Sequence, residues 1–361
     1  MGLNCGIIGL PNAGKTTIFN ALSGGNAQIA NYPFCTIEPN RGVVPVPDER
    51  LTRIGELLNK ENSIPNRIEF VDVAGLVKGA SKGEGLGNRF LGHVRDVDAI
   101  IHVIRCFKSQ DVVHVGGQID PIRDVELINT ELILSDIEIL ERAKEKLLKT
   151  ARSGDKRSKA DVETLQGFLD HLDNGKLLNT LHINSDEIDL INNYGLITSK
   201  PILYLANVDE VSTEDDELKK VREYAERNGS ESLSIMGKLE EEISQLPECE
   251  KEDYLKALGL EESGLDRLIK SSLRLLRLIT FYTAETDLQA WTILDGTDAI
   301  RAAGKIHTDF IKGFIRAEVF SFNDLVNAGT LQRIKDMGLL RSEGRDYPVK
   351  DGDIIRFLFN L

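Results

Sequence analysis

The 361-residue sequence is poor in cysteine and has no long apolar run. Its four cysteines are scattered, and no two of them form a C-x-x-C pair. This spacing argues against structural zinc and disulfides, and it favours a reducing compartment. No segment approaches the ~18 uninterrupted apolar residues of a membrane span, and no basic region followed by an apolar run opens the chain. We therefore expect a cytoplasmic protein without a membrane span or a secretory signal.

Positive charge is scarce as well. The chain has 44 Lys and Arg against 58 Asp and Glu, which gives a net charge of −14. Nucleic-acid binding through bulk charge is therefore not expected, and any such contact must use a local basic patch. The length allows two or three domains, with a large core in at least one of them.

One motif near the N-terminus is complete. Residues 9–17 read GLPNAGKTT and match G-x-x-x-x-G-K-[ST], the phosphate-binding loop (P-loop) of nucleotide triphosphatases. The apolar run 5–8 predicts a buried strand before the loop, and residues 16–22 predict a helix after it, so that N–H groups and the helix N-terminus face the phosphates. An ordinary glycine turn is the alternative. The predicted nucleotide ligands are Asn12, Ala13, Gly14, Lys15, Thr16 and Thr17, with Lys15 at the β- and γ-phosphates and Thr16 on Mg²⁺.

Two later segments predict the rest of a magnesium and γ-phosphate site. The proline-bracketed loop 31–39 contains Thr36, which lies where switch GTPases place a threonine in the Mg²⁺ shell; a plain surface threonine is the alternative. Residues 67–71 predict a strand that ends in D-x-x-G, from Asp72 to Gly75. Asp72 would hold the ion through water, and the Gly75 N–H would meet the γ-phosphate. The glycine-dense run after this motif favours a switch segment over a passive linker.

Three more buried strands complete the predicted nucleotide domain. The strand at 98–107 contains His102, which we interpret as a core histidine rather than a ligand. The strand at 201–206 runs into a base-recognition motif, and the strand at 232–236 runs into a loop that would back the base. The residues predicted to contact the base are Asn207, Val208, Glu210, Met236 and Gly237.

The stretch 121–199 is predicted to be a helical hairpin inserted into this domain. Apolar residues recur every three to five positions over 128–147, and a second helical run covers about 160–172. Residues 141–160 include eight Lys or Arg and three acids, a local charge of +5. This basic segment indicates either a contact with RNA or the ribosome, or a solvated helix tip.

From residue 279 the pattern changes to short strands separated by brief helices, which predicts a small α+β domain. The predicted fold is therefore α/β and has three parts. They are a P-loop domain (1–120 and 200–278), an inserted coiled-coil-like arm (121–199) and a C-terminal domain (279–361).

Together these motifs resemble those of the YchF subfamily of Obg-like ATPases, among the translation-factor-related P-loop proteins. The resemblance covers the whole chain. Its marks are the P-loop, the switch run DVAGLVKGASKGEGLGNRFL, the base motif NVDE, and GKIHTD followed by GF at 304–314. The resemblance implies a protruding helical arm and a C-terminal TGS domain, a ubiquitin-like β-grasp module associated with RNA or ribosome contact.

The base motif and the resemblance both favour adenine. Guanine-specific relatives carry N-K-x-D, whose aspartate accepts two hydrogen bonds from guanine. Here Glu210 takes the place of that aspartate and Val208 the place of the lysine, so that guanine would bury donors without partners. We predict that ATP is preferred over GTP, with Asn207 or a backbone carbonyl accepting from the 6-amino group. A GTP-specific GTPase is the alternative.

Hydrolysis is predicted to be slow. Ras-like proteins place a water-orienting glutamine directly after D-x-x-G, and this position is Leu76 here. His93 is a candidate substitute, and a partner protein is another. Asn12 corresponds to an asparagine with which related proteins bind K⁺, whose charge could replace an arginine finger. The predicted catalytic residues are Lys15, Thr36, Gly75 and His93, and the predicted metal ligands are Thr16, Thr36 and Asp72.

These predictions describe a monomeric, nucleotide-dependent switch that engages the ribosome or structured RNA through the arm and the C-terminal domain. A small-molecule kinase also uses a P-loop, but the D-x-x-G and base motifs favour a switch. A non-catalytic scaffold that nucleotide merely stabilises is the other alternative.

Overall fold

The computed structural model describes residues 4–24, 39–73, 86–107, 119–151, 155–209 and 216–360. The chain divides into two compact units. Unit 1 contains Met1–Val44 and Glu69–Leu265, and unit 2 contains Pro45–Ile68 and Asp266–Leu361.

Helices and strands alternate through most of the described chain. In chain order they are β1 (Asn4–Ile8), α1 (Lys15–Ser23), β2 (Asn40–Pro45), α2 (Glu49–Leu58), β3 (Ser63–Ile64), β4 (Arg67–Asp72), α3 (Leu86–Arg95), β5 (Ala99–Arg105), α4 (Pro121–Ala151), α5 (Lys156–Asp173), α6 (Ser185–Tyr194), β6 (Ile202–Asn207), α7 (Asp216–Arg227), β7 (Glu231–Ile235), α8 (Gly237–Ser244), α9 (Glu248–Ala257), α10 (Gly264–Leu275), β8 (Leu278–Thr283), β9 (Leu288–Leu294), α11 (Ala299–Ile306), α12 (Thr308–Gly313), β10 (Phe314–Ser321), α13 (Phe322–Ala328), α14 (Leu331–Asp336), β11 (Arg341–Glu343) and β12 (Asp353–Phe359), with a 3₁₀ turn at Leu178–Thr180.

The sheet of unit 1 has the order β2-β4-β1-β5-β6-β7. Strands β4, β1, β5, β6 and β7 are parallel, so their carboxyl ends meet at one edge. Strands β5 and β6 are buried along their whole length, as the near-continuous apolar runs of a covered parallel sheet predict. This arrangement places the P-loop and the residues that directly follow β4, β5, β6 and β7 at the same edge.

The inserted hairpin is present in unit 1. Helices α4 and α5 pack against each other, and Leu140, Leu165 and Phe168 are buried in the cluster that also covers the sheet. The Asp155 carboxylate caps α5 by accepting from the Ser158 N–H at 3.0 Å. Amphipathic periodicity was sufficient to predict both helices, because each buries one stripe of apolar residues.

Unit 2 contains a mixed sheet with the order β11-β10-β12-β8-β9-β3. Strand β10 is antiparallel to β11 and β12, and β8 is antiparallel to β9. Strands β12 and β8 are parallel, as are β3 and β9. Helix α2 covers this sheet, since Leu51 and Ile54 are buried with Tyr282 and Leu288.

The α/β fold class with a P-loop domain, a helical arm and a separate C-terminal part is confirmed. The boundaries differ from the predicted ones, because residues 45–68 join the C-terminal unit and the arm is not separated from the nucleotide unit. The amphipathic pattern of residues 265–278 predicts a helix up to about 278, but α10 ends at Leu275 and a strand begins at Leu278. Between them Arg277 adopts a left-handed backbone with φ 52°. The short elements β3, β11, α12 and α14 were not predicted.

None of the helices in the described part of the chain combines the length and the apolar character that a bilayer crossing requires.

Candidate nucleotide-binding site

The P-loop leaves the central strand of the sheet. Strand β1 ends at Ile8, which is paired with His102 of β5, while Ile7 is paired with Asp72 of β4. Helix α1 then begins at Lys15. The strand–loop–helix order that the motif requires is therefore present.

Two glycines of the loop are required by its geometry. Gly9 has φ 154°, and a Cβ there would lie 2.5 Å from the Val103 carbonyl oxygen. Gly14 has φ 97°, and a Cβ there would lie 2.1 Å from Asn207 Nδ2. Asn12 also has a positive φ, 64°, which asparagine tolerates better than most residues. The loop thus depends on side chains that are absent or small.

Lys15 is held at the base of the loop. Its side chain is buried, and Nζ donates a hydrogen bond to the Leu10 carbonyl oxygen at 2.9 Å. Burial lowers the pKa of Lys15, and the negative charge of Asp72 acts in the opposite direction. Burial likewise raises the pKa of Asp72, and Lys15 opposes that change. The negative charge of a phosphate beside Lys15 would favour the protonated form of Lys15 further, in the same direction as Asp72 does.

Asn207 ties three segments together. Its Nδ2 donates to the Ala13 carbonyl oxygen at 3.0 Å, and its Oδ1 accepts from the Gly237 N–H at 3.0 Å. The backbone of Val208 donates to Ile235 at 2.9 Å, which pairs the ends of β6 and β7. Asn207 therefore fixes the P-loop relative to the loop at Met236 and Gly237.

These loops surround a cleft of about 300 Å³. Its apolar wall includes Phe107, whose ring is covered by the buried Arg105 guanidinium at 4.5 Å, and Arg105 Nε donates to the Phe107 carbonyl oxygen at 3.3 Å. The lining residues are Asn12, Gly14, Lys15, Thr16, Thr17, Phe107, Asn207, Val208, Asp209 and Lys238.

Comparison with known proteins agrees with this geometry. Residues 4–144 match the family model MMR_HSR1, described as 50S ribosome-binding GTPase, and residues 278–360 match YchF-GTPase_C, described as a protein of unknown function (DUF933). The chain is 49% identical over 363 positions to the Ribosome-binding ATPase YchF of Haemophilus ducreyi, with complete coverage of both chains. The chain belongs to the YchF family.

Other members show the same end-to-end similarity. The Ribosome-binding ATPase YchF proteins of Escherichia coli O157:H7 and Bacillus subtilis are 47% and 46% identical, again over the full length of both chains. The solved structure of the Schizosaccharomyces pombe YchF GTPase matches with a TM-score of 0.87 and 34% identity, covering 99% of this chain and 98% of that one.

In this member of the YchF family, most of the predicted nucleotide ligands lie together. Five of the six P-loop ligands line the cleft, as do Asn207 and Val208; Ala13 is buried behind it and accepts from Asn207. Met236 and Gly237 lie at the start of α8, next to the lining residue Lys238. Three predicted site residues, Thr36, Gly75 and Glu210, fall outside the described residues, as does Leu76.

Three lining residues were not among the predicted ligands, and one candidate lies apart from the cleft. Asp209 and Lys238 belong to the predicted base motif and base-backing loop, although no contact was assigned to them. Phe107 was not predicted, although it lies just beyond the carboxyl end of the parallel strand β5, a position that is typical of ligand sites. His93 lies half-buried in the last turn of α3 and is not among the described residues that line the cleft.

The described metal candidates offer the donors that Mg²⁺ prefers. Thr16 is exposed in the first turn of α1 and supplies a hydroxyl, and Asp72 supplies a half-buried carboxylate at the end of β4. Hard oxygen ligands of this kind suit magnesium, which keeps several waters and takes further ligands from phosphate. Within the described residues no cluster of three or more His, Cys, Asp or Glu could form an all-protein metal cage. The donors therefore fit an ion shared with a nucleotide.

His102 is a core residue, as predicted. It is only 1% exposed, and its ring lies 5.8 Å from that of Tyr204 on the neighbouring strand. Nδ1 is buried without a hydrogen-bond partner among the described atoms. Burial, with a smaller contribution from the positive charge of Lys15, lowers the pKa of His102 to about 3.

Proposed function

We propose that this chain is a slow nucleoside triphosphatase that binds ATP with Mg²⁺ in the cleft and associates with the ribosome as a nucleotide-dependent switch. The observation that carries the proposal is the buried Lys15 within an intact P-loop that Asn207 fastens to the base side of the cleft. This arrangement provides a cation for the phosphates and a rigid wall for the base.

Lys15 and the loop amides would bind the phosphates. Thr16 and Asp72, with Thr36, would hold Mg²⁺, which neutralises charge on the β- and γ-phosphates when it is bound. A single-turnover hydrolysis assay tests the enzyme against the scaffold alternative. We expect labelled ATP to be cleaved by the wild-type chain and not by Lys15→Ala; equal rates for both would leave only the scaffold.

The adenine preference rests on the walls of the cleft and on Glu210. Val208 is 4% exposed and lines the cleft with Phe107, so that the base would meet an apolar surface where N-K-x-D proteins carry lysine. Because Val208 is buried, lysine at this position would also bury a charge, and Glu210→Asp alone is the cleaner specificity variant. We expect the wild-type protein to bind ATP more tightly than GTP and the variant to shift towards GTP.

The names of the relatives do not decide between ATP and GTP, since one is called an ATPase and another a GTPase. Equilibrium binding of both nucleotides in Mg²⁺ decides between them. A GTP preference of about tenfold, or 1.4 kcal/mol, would replace ATP by GTP in the proposal.

Two further groups belong to the proposed hydrolysis step. Asn12 would contribute to a K⁺ site, and hydrolysis at equal rates in K⁺ and Na⁺ buffers would remove that ion. His93 would orient water only if α3 brings it to the γ-phosphate. A His93→Gln variant with the wild-type single-turnover rate would eliminate His93 and leave a partner protein as the candidate.

Ribosome association is proposed from the relatives, which are named Ribosome-binding ATPase YchF, and from the arm. Lys146, Lys149, Lys156 and Arg157 are exposed near the end of the hairpin, and structured RNA is a polyanion. We expect a cytoplasmic monomer that co-sediments with purified ribosomes to an extent that depends on the nucleotide. Co-sedimentation that is absent with every nucleotide would exclude this function.

A further inference from the structure

Helix α3 follows the D-x-x-G motif in the chain, and its last residue contacts helix α4 of the arm. Its inner face is anchored in the core through Phe90, Leu91 and Val94. The helix is 10 residues long, so it spans about 15 Å. It ends at Arg95, and three residues separate it from β5, whose start lies at the sheet edge opposite the cleft.

Arg95 joins α3 to the arm. Its Nη2 donates a hydrogen bond to the Ser135 hydroxyl oxygen of α4 at 2.5 Å. Its Nε is buried and has no hydrogen-bond partner among the described atoms, so the guanidinium fork is only partly used. Arg95 as a whole is half-buried, and its hydrogen bond to Ser135 links α3 to α4.

The next residue of the arm is also fixed. Asp136 is fully buried, and its carboxylate accepts from the Ile197 N–H at 3.1 Å, from the Thr198 N–H at 2.8 Å and from the Thr198 hydroxyl at 2.7 Å. Burial raises the pKa of Asp136, while these hydrogen bonds and the charge of Arg95 oppose the rise. The arm therefore cannot shift at this level without disturbing the loop before β6.

The main chain at the end of α3 is held by the same loop. Lys200 Nζ donates to the Arg95 carbonyl oxygen at 2.7 Å and also to that of Val97. The loop thus contacts α4 through Thr198 and α3 through Lys200. We name the set Arg95, Ser135, Asp136, Thr198 and Lys200 the arm clamp.

We propose that Arg95 is a positioning residue that transmits displacement of α3 to the root of the arm, so that the nucleotide in the cleft sets the arm's position. This inference rests on the proposed nucleotide-dependent function. The physical reason is that Arg95 carries a hydrogen bond from α3 to Ser135 of α4, and the next residue of α4 is the fully buried Asp136. Packed interfaces have discrete arrangements rather than continuous ones, so a displacement of α3 would shift this contact as a unit.

Amide hydrogen exchange of the full chain tests the clamp without any partner. The Ile197 and Thr198 amides report on the clamp because both donate to Asp136. In the wild-type protein we expect a non-hydrolysable ATP analogue to change their exchange rates by at least about fivefold relative to ADP. Arg95→Gln should abolish this difference and change the ratio of the two nucleotide affinities by no more than about fivefold, because the coupling is reciprocal. Arg95→Lys should restore only part of the difference.

Ser135→Ala and Thr130→Val form a matched pair of hydroxyl deletions on α4. The Ser135 hydroxyl contacts Arg95, whereas the Thr130 hydroxyl donates to Glu126 within its own helix at 2.7 Å. Ser135→Ala should reduce the nucleotide-dependent difference, and Thr130→Val should preserve it. A difference that is absent in the wild-type protein, or that persists in Arg95→Gln, would overturn the clamp.

Ribosome co-sedimentation separates the clamp from the function on which it rests. If the exchange difference behaves as expected but purified ribosomes never bind, the clamp stands and the proposed ribosome association fails. If ribosomes bind the wild-type protein in a nucleotide-dependent way, Arg95→Gln should bring the ratio between the two nucleotide states close to one. An unchanged ratio in Arg95→Gln would exclude the clamp as the route to the arm.

Discussion

Gly14 and Asn207 approach so closely that a Cβ on residue 14 would lie 2.1 Å from the Asn207 side-chain nitrogen. The two residues are far apart in sequence, and the contact closes the P-loop over the end of β6. The Asn207 side chain is fixed in place, because its Nδ2 donates to the Ala13 carbonyl oxygen and its Oδ1 accepts from the Gly237 N–H. The phosphate side and the base side of the cleft are therefore one rigid unit.

Gly14→Ala should disrupt this unit. The methyl group collides with Asn207, and φ 97° is unfavourable for alanine, so we expect a loss of about 1–3 kcal/mol in stability and a large loss of ATP affinity. Gly92→Ala is the matched control, because a Cβ there meets nothing within 4 Å and lies in a helix. The control should keep wild-type affinity and gain up to about 1 kcal/mol in the free energy of unfolding. Isothermal titration measures the ATP affinity of the two variants, and urea unfolding measures their stability. A wild-type ATP affinity in Gly14→Ala would contradict the proposed role of the Gly14–Asn207 contact.

Asn207→Asp should weaken nucleotide binding more than it destabilises the fold. The new carboxylate faces the Ala13 carbonyl oxygen, where Nδ2 now donates at 3.0 Å, and this repulsion would displace the P-loop. We expect at least a tenfold loss of affinity, corresponding to about 1.4 kcal/mol. Asn179→Asp makes the same change at a site outside the cleft, where Nδ2 donates to Lys200 at 3.1 Å. If both variants lose the same affinity, Asn207 has no special role in the cleft.

His102 should make the protein sensitive to acid. Its pKa of about 3 in the folded chain lies below the usual 6.5, so between these values the unfolded chain binds a proton that the folded chain does not. The free energy of unfolding should therefore fall as the pH decreases from 6.5, by up to about 1.4 kcal/mol per pH unit from this residue. His102→Phe should flatten the dependence between pH 6.5 and 4, measured by urea unfolding. His182→Gln, which removes an exposed imidazole, is the control; an unaltered slope in His102→Phe would refute the assignment.

The exposed cations of the arm should set the salt dependence of any RNA or ribosome binding. Replacing Lys146, Lys149, Lys156 and Arg157 by glutamine should reduce the slope of log K against log salt by up to about 3, with ATP affinity unchanged. The sequence also suggests Lys144 as a phosphate contact, but its Nζ donates to Gln166 of α5 and the side chain is half-buried, so it serves as an internal control. Lys144→Gln should change the slope less than any of the four exposed positions. A fourfold variant with the wild-type slope would identify the segment as a solvated tip.

Motif and periodicity together predicted much of unit 1 because both signals are local. Strand β4 ends at Asp72 and α1 begins at Lys15, as the two phosphate motifs required. For Phe107 the sequence indicates only a position just beyond a strand end; that its ring lines the cleft depends on the pairing of β5 with β1 and on the Arg105 side chain above the ring. Helix α2 was not predicted, and the apolar face that it buries does not indicate against which sheet it packs.

The assignment of α2 and β3 to unit 2 has a consequence for biosynthesis. Leu51 and Ile54 are made early, but Tyr282 and Leu288, with which they are buried, follow about 230 residues later. At roughly 5–20 residues per second, the nascent chain exposes this apolar face for some 10–50 seconds before its partners emerge. Unit 2 as described therefore includes residues 45–68 as well as its C-terminal part, and a fragment that starts at residue 279 would leave the surface that α2 covers on its sheet exposed.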